Sequence, residues 1–207
     1  MFTLYYTPGT CALASHIALE DCGADYKAKR IHFSKGEQRS SDYLEVNPKG
    51  RVPALATQRG ILTETPAILA FLAQSFPEAR LAPLGDPFAF AELQSFNNYL
   101  CATVHVAHAH RMRGARWADD ETSFADMKRK VPQSVGACFE LIETRIFNGP
   151  WVMGADYTIA DPYLFTLANW LEADAVDIKR FPRVAEHHAR MGERPSVKKV
   201  LAEENAA

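Results

Sequence analysis

The first third of the chain alternates strand and helix signals, and that alternation restricts the fold more than any other feature of the sequence. Phe2-Thr3-Leu4-Tyr5-Tyr6 is β-branched and aromatic and reads as a short strand. Thr7-Pro8-Gly9-Thr10 is a turn. Residues 11–22 put Leu13, Ala14, Ile17 and Ala18 on one helical face, and Gly23 closes that helix. Tyr26 to Phe33 is strand-like, and Asp42 to Val46 predicts a short helix stopped by Asn47-Pro48-Lys49-Gly50. Val52-Pro53-Ala54-Leu55-Ala56 reads as a third strand, and Ile61-Leu62 as a brief fourth reached through Arg59-Gly60. Thr65-Pro66 then opens a helix, since Thr is a good N-cap and Pro fits the first helical position. Its body, Ala67-Ile68-Leu69-Ala70-Phe71-Leu72, is apolar nearly all round, which predicts burial. The order is βαβαββα, with the last two strands antiparallel because a tight turn joins them. Proline at the head of a strand predicts a cis bond at Val52-Pro53.

Phe76 to Pro87 carries Pro77, Pro83, Gly85 and Pro87 and reads as an interdomain linker. Beyond it the strand signals fade. Leu93, Phe96, Leu100, Val104 and Ala107 recur at helical spacing, and a polar stretch with Gly114 and Asp119-Asp120 interrupts them. A second helical region covers residues 120–147 and ends near Asn148-Gly149-Pro150, with Pro132 expected to bend it. Leu164, Leu167, Ala168 and Leu171 mark a central helix, and shorter ones follow Phe181-Pro182 and Pro195. The fold class expected is α/β plus all-α.

Composition narrows the function. A net charge of −2 provides no basic field for nucleic acid or anionic lipid. No apolar run approaches the roughly 20 residues of a membrane helix. The N-terminus has neither a basic region nor a long apolar one, so no signal peptide is expected and the cytoplasm is the expected location. Cys11, Cys22, Cys101 and Cys138 are widely spaced without a CxxC pair, which predicts four free thiols.

Cys11 follows a strand and a Pro-Gly turn and opens a helix, with Thr10 as its expected N-cap. Helix N-termini present unpaired N–H groups and partial positive charge, a setting that lowers a thiol's pKa and stabilises a thiolate. The plain alternative is a small buried residue. Glu64-Thr65-Pro66 puts a carboxylate before a helix start: the helix end and the Thr65 hydroxyl suit a ligand carboxylate, and Glu64 suits a ligand ammonium, together a pocket for an α-amino-acid head group. Taken alone, an ordinary N-cap explains it as well. The residue before a cis proline, Val52, offers backbone N–H and C=O groups to an extended peptide. Cys101, His105, His108 and Met112 form a stripe on one helix that invites a metal reading, but no second ligand cluster completes it, and no metal is expected.

Leu4-Tyr5-Tyr6-Thr7-Pro8-Gly9-Thr10-Cys11, Asn47-Pro48-Lys49-Gly50-Arg51-Val52-Pro53-Ala54-Leu55 and Leu62-Thr63-Glu64-Thr65-Pro66-Ala67-Ile68 resemble, in this order, segments of the cytosolic glutathione transferases. The first is most similar to the bacterial beta class, which has a cysteine at this point. Asp156-Tyr157-Thr158-Ile159-Ala160-Asp161-Pro162-Tyr163-Leu164-Phe165 resembles the family's capping box, with Thr158 as N-cap and Asp161 as its N3 partner.

The resemblance implies a thioredoxin-like domain over 1–77, a linker over 78–86 and an all-helical domain over 87–207 with the electrophile site. It implies that the Val52 backbone pairs with the cysteinyl part of glutathione, that Glu64 and Thr65 hold its γ-glutamyl end, and that Lys35 reaches its glycine carboxylate. The loop holding Lys35 is one residue shorter than the class pattern. Cys11 would sit at the glutathione sulfur. Asn98 and His105 resemble the helical-domain residues that face the thiol; a separation of seven predicts one shared helix face. Thr103 stands where the class often has a carboxylate. Tyr6 matches by position the tyrosine that serves the thiolate in other classes, although with Cys11 present a packing role fits it better. The activity implied is transfer of glutathione, as co-substrate and with no permanently bound cofactor, to small hydrophobic electrophiles by a homodimer. The alternatives are glutathione-dependent thiol–disulfide reduction or reductive lyase chemistry at Cys11, and a non-catalytic glutathione-binding or scaffolding protein.

Overall fold

A computed structural model describes residues 1–206. Four strands, β1 (Phe2–Tyr6), β2 (Tyr26–Arg30), β3 (Ala54–Thr57) and β4 (Gly60–Thr63), form one sheet in the order β2-β1-β3-β4. β1 and β2 are parallel, joined through α1 (Ala12–Asp21); β3 and β4 are antiparallel, as their tight turn requires. Leu4 lies opposite Leu55, and both are fully buried. Side chains alternate across β1: Leu4 and Tyr6 are buried, and Tyr5 meets Tyr43 on the other face, the rings tilted with centroids 5.8 Å apart.

After β2 the chain makes α2 (Ser41–Val46), and after β4 it makes α3 (Thr65–Ser75). The helical part comprises α4 (Pro87–Tyr99), α5 (His105–Ala109), α6 (Glu121–Leu141), α7 (Ala160–Ala168), α8 (Pro182–Gly192) and α9 (Pro195–Ala206). Asp86 caps α4 by accepting from the N–H groups of Phe88 and Ala89, and Asp120 caps α6 by accepting from Ser123. α6 runs through Pro132 as one helix.

α1 has no polar face, and its packing explains why. It lies against α3 on one side and against α7 and α9 of the helical part on the other. Every residue from Ala12 to Leu19 is buried, Ser15 and His16 included. His16 Nδ1 donates to Glu204 of α9 at 3.1 Å, which gives this buried imidazole a partner. One apolar core runs from Leu4, Leu55 and Leu69 to Phe139, Leu164 and Val184, so the sheet and the helices share a continuous interior.

The structure corrects five local expectations. β2 ends at Arg30, three residues early; the chain then turns through Phe33–Lys35 and Glu37–Arg39, fastened where the His32 N–H donates to Glu37 at 2.7 Å. α1 starts after Cys11, which itself occupies the cap position, while Thr10 accepts from the Ala12 N–H through Oγ1. Thr65 is the first residue of α3, not its cap: Glu64 holds that position and makes no capping bond. α4 and α5 are separated by a π-helical turn, Leu100–Val104. In the expected capping box, Asp161 does reach back to the Thr158 N–H at 2.7 Å, but the Thr158 hydroxyl accepts from Ala160. Asp161 also accepts from Val152 N–H and from His187, so a single buried carboxylate ties three segments together.

Candidate active site

The cleft lies between the ends of β1 and β3 and the wall formed by α5 and the turn after α7. Its cavity measures about 800 Å³. Gly9, at φ +70°, bends the chain out of β1 in the left-handed region, where glycine is free to go. Thr10 Oγ1 donates to the Thr7 carbonyl and Thr7 Oγ1 to that of Ile31, which fixes the turn in front of Cys11.

The Val52-Pro53 bond is cis. Tyr43 Oη and Asn47 Nδ2 both donate to the Arg51 carbonyl at 2.7 Å and hold the approach to it. Gly50 allows that approach, because a Cβ there would lie 2.8 Å from the Gln38 carbonyl oxygen. The Val52 carbonyl accepts from the Cys11 thiol at 3.5 Å, and its N–H has no hydrogen-bond partner among the described residues. Glu64 sits at φ +74°, a conformation costly for a residue with a Cβ, on the order of 1–3 kcal/mol. Its exposed carboxylate pairs with Lys49, which also donates to Thr63. Thr65 is buried beside Cys11.

From the helical side come Cys101, His105, His108 and Trp170. The Trp170 ring stacks on His108 at 4.3 Å and stands edge-on to His105 at 5.0 Å, while its Nε1 donates to the Gly9 carbonyl at 3.0 Å. One side chain thus spans the two halves directly beside Cys11. His108 Nδ1 donates to the buried Asp174, which also pairs with Arg111. Tyr163 lines the same wall.

Burial decides the protonation of the two central groups. It pushes the Cys11 thiol up to about 11, against the lowering effect of Thr65. This is opposite to the expectation from a helix N-terminus: desolvation outweighs the helix end. The His105 imidazole is lowered to about 4, first by burial and then by the charges of His108, Arg116 and Arg51, with Glu64 opposing. At neutral pH the free cleft therefore holds a thiol and a neutral imidazole.

The structure gathers Cys11, Val52, Glu64, Thr65 and His105 around this cleft. The other expected residues lie elsewhere. Tyr6 is buried behind the cleft against His16, because strand alternation turns it to the α1 side. Lys35 is exposed outside the cleft, and from the same loop Phe33, Gln38 and Arg39 line it instead. Asn98 and Thr103 are exposed and off the cleft wall; the π-helical turn between Asn98 and His105 breaks the one-face spacing. Of the stripe Cys101, His105, His108 and Met112, His108 is held by Asp174, and no group of three or more His, Cys, Asp or Glu side chains among the described residues is placed to hold a metal.

Sequence reasoning missed Trp170, Asp174 and most of the charge. Arg39, Lys49, Arg51, Arg111, Arg113 and Arg116 line the cleft, against Glu64 as the one lining carboxylate among the described residues. Arg51, next to Val52, faces this opening. No local motif signals these arginines, because they come from separate turns that only the fold brings together.

Two family models match the chain: "Glutathione S-transferase, N-terminal domain" over residues 1–74 and "Glutathione S-transferase, C-terminal domain" over 108–204. A glutathione S-transferase of Escherichia coli O157:H7 is 32% identical over 204 residues, covering 97% of this chain and 98% of the relative. A solved glutathione transferase homologue from Sulfitobacter, with bound glutathione, superposes with a TM-score of 0.95 at 46% identity, covering 98% of both chains. The beta class glutathione S-transferase of Sphingomonas chungbukensis superposes with a TM-score of 0.86 at 29% identity, covering 99% of this chain and all of that one. With its two halves matched in order and relatives aligned from end to end, the chain belongs to the glutathione S-transferase family.

Proposed function

We propose that the protein conjugates the thiol of glutathione to a small electrophile, as a member of the bacterial beta class. The observation that carries this reading is the convergence on one cleft of Cys11, the Val52 backbone at its cis proline, Glu64-Thr65 at the start of α3, and His105. The Val52 N–H and C=O would pair with the cysteinyl residue. The start of α3 with Thr65 would take the γ-glutamyl carboxylate, and Glu64 its ammonium. Arg39, at the cleft where Lys35 is not, is the better placed cation for the glycine carboxylate.

The bound tripeptide's sulfur would then lie near the Cys11 S–H. A thiol held protonated is a donor, and its hydrogen bond favours the thiolate of its neighbour. His105 would act as a neutral hydrogen-bonding group, positioned by Trp170, and not as a cation. These protonation states favour conjugation over thiol–disulfide exchange, which needs Cys11 itself as thiolate. Asn98 and Thr103 have no part in this reading within one chain. Four free thiols fit a reducing cytoplasm. A homodimer is expected from the resemblance, and exposed Phe88 and Leu84, at and just before the start of α4, provide apolar surface for it.

Calorimetry of the reduced protein with reduced glutathione tests the reading. Micromolar-to-millimolar binding, weakened about ten-fold or more by Glu64→Ala, supports it. No detectable binding by the wild type would leave a scaffold as the better reading.

A further inference from the structure

Building on the transferase reading, we propose that the half of the cleft not needed by glutathione is built for an anion. Its electrophile would carry a carboxylate beside a flat apolar or aromatic body. Of the cationic side chains in the cleft, Lys49 pairs with Glu64 and Arg111 with Asp174. Arg39, Arg51, Arg113 and Arg116 have no ion-pair partner among the described residues. Glutathione offers two carboxylates and one ammonium, and the ammonium has Glu64. The start of α3 can serve one carboxylate and a single cation the other. Even as a thiolate, the tripeptide leaves arginines over.

Those arginines sit close enough to repel one another. The charges of Arg51, Arg113 and Arg39 add to burial in lowering the Arg116 pKa below its ordinary value. A chain with a net charge of −2 has thus concentrated like charge around one opening, an arrangement that costs stability unless an anion fills it. The wall that carries Arg113 and Arg116 is also fixed in place. Gly114 between them is buried, and a Cβ there would meet the Phe124 ring of α6 at 2.6 Å, so this turn is seated against α6 with no room to spare.

The same stretch supplies the apolar surface. Met112 is 75% exposed and Trp117 45% exposed, and both line the cleft. Trp117 leans on His110 with ring centroids 4.3 Å apart, which sets its plane. An aromatic acid would lay its ring against Trp117 or Met112 and its carboxylate against Arg113 and Arg116, leaving its reactive carbon toward Cys11 and the glutathione sulfur.

The test compares meta-nitrobenzoate with its neutral isostere meta-nitrobenzamide. Binding is read by quenching of tryptophan fluorescence, since Trp117 and Trp170 line the cleft, with the protein alone and saturated with glutathione. The benzoate is expected to bind about ten-fold more tightly, as one charge-assisted pair allows, and to lose that advantage as salt is raised. Replacing both arginines (Arg113→Ala with Arg116→Ala) removes the preference. Equal affinity for acid and amide, or a preference that survives the double replacement, overturns the proposal. So does a glutathione affinity that falls about ten-fold in the double variant, because the arginines would then belong to the tripeptide. Failure of the wild type to bind glutathione in calorimetry sinks the transferase reading instead, and the acid–amide comparison in the protein alone still decides whether the cleft selects anions.

Discussion

Cys11 and His105 face the same cleft, and burial holds both neutral: the thiol is pushed up to about 11 and the imidazole down to about 4. Two predictions belong to these residues. Cys11 should be alkylated by iodoacetamide at neutral pH more slowly than an unstructured cysteine, as read by peptide mass spectrometry. Its thiolate fraction is smaller than that of a free thiol near 8.5. His105 makes a stability prediction. Its folded pKa lies below the unfolded value of about 6.5, so the unfolded chain binds more protons between the two. Its contribution is thus full above pH 6.5 and is lost as pH falls toward 4, by up to about 3 kcal/mol. Denaturation at stepped pH should show this slope in the wild type and a smaller one in His105→Phe. Glu64 gives a third prediction. At φ +74° a glycine would relieve strain, so Glu64→Gly should raise stability by about 1 kcal/mol while weakening glutathione binding. A gain in stability with unchanged affinity would remove Glu64 from the site.

At the scale of elements, the cleft depends on parts that no single segment announces. Trp170 and Asp174, in the turn after α7, position both histidines and the Gly9 carbonyl. Asp174→Ala should cost about 3 kcal/mol in chemical denaturation, since it leaves Arg111 and His108 without their buried partner. The strands and most helices were legible because hydrophobic period and turn residues agree there: Phe2–Tyr6, the Gly60 turn and the Thr65-Pro66 helix start fell within a residue or two of the structure. The π-helical turn was not legible. A period of 3.6 residues predicts that Asn98 and His105 share a face, and one extra residue per turn over Leu100–Val104 breaks that register. Lys35 failed for a related reason: β2 stops early, and the loop that follows brings Arg39 to the cleft.

For the whole molecule, the sequence carries the presence of two unlike parts, but not how closely they are joined. Ala12–Leu19 reads as an apolar helix; that it is clasped from both sides, with His16 bonded across to Glu204, follows only from the assembled fold. The arginine surplus of the cleft is likewise a property of the assembly, contributed by residues 39 to 116 of the chain. The proposed homodimer belongs to this scale. Light scattering should return twice the 23.1 kDa chain mass, and a monomer at working concentration would contradict it.

In the proposed mechanism the cleft favours the thiolate of bound glutathione, which its ionisation on the protein reads out directly. Thiolate absorbance of glutathione bound to Cys11→Ser is titrated against pH, with the glutathione-free variant subtracted. A pKa below the roughly 8.5 of an unperturbed thiol is expected, because the serine hydroxyl retains the donor and His105 and the helix end remain. A bound thiol that ionises at or above that value would contradict it.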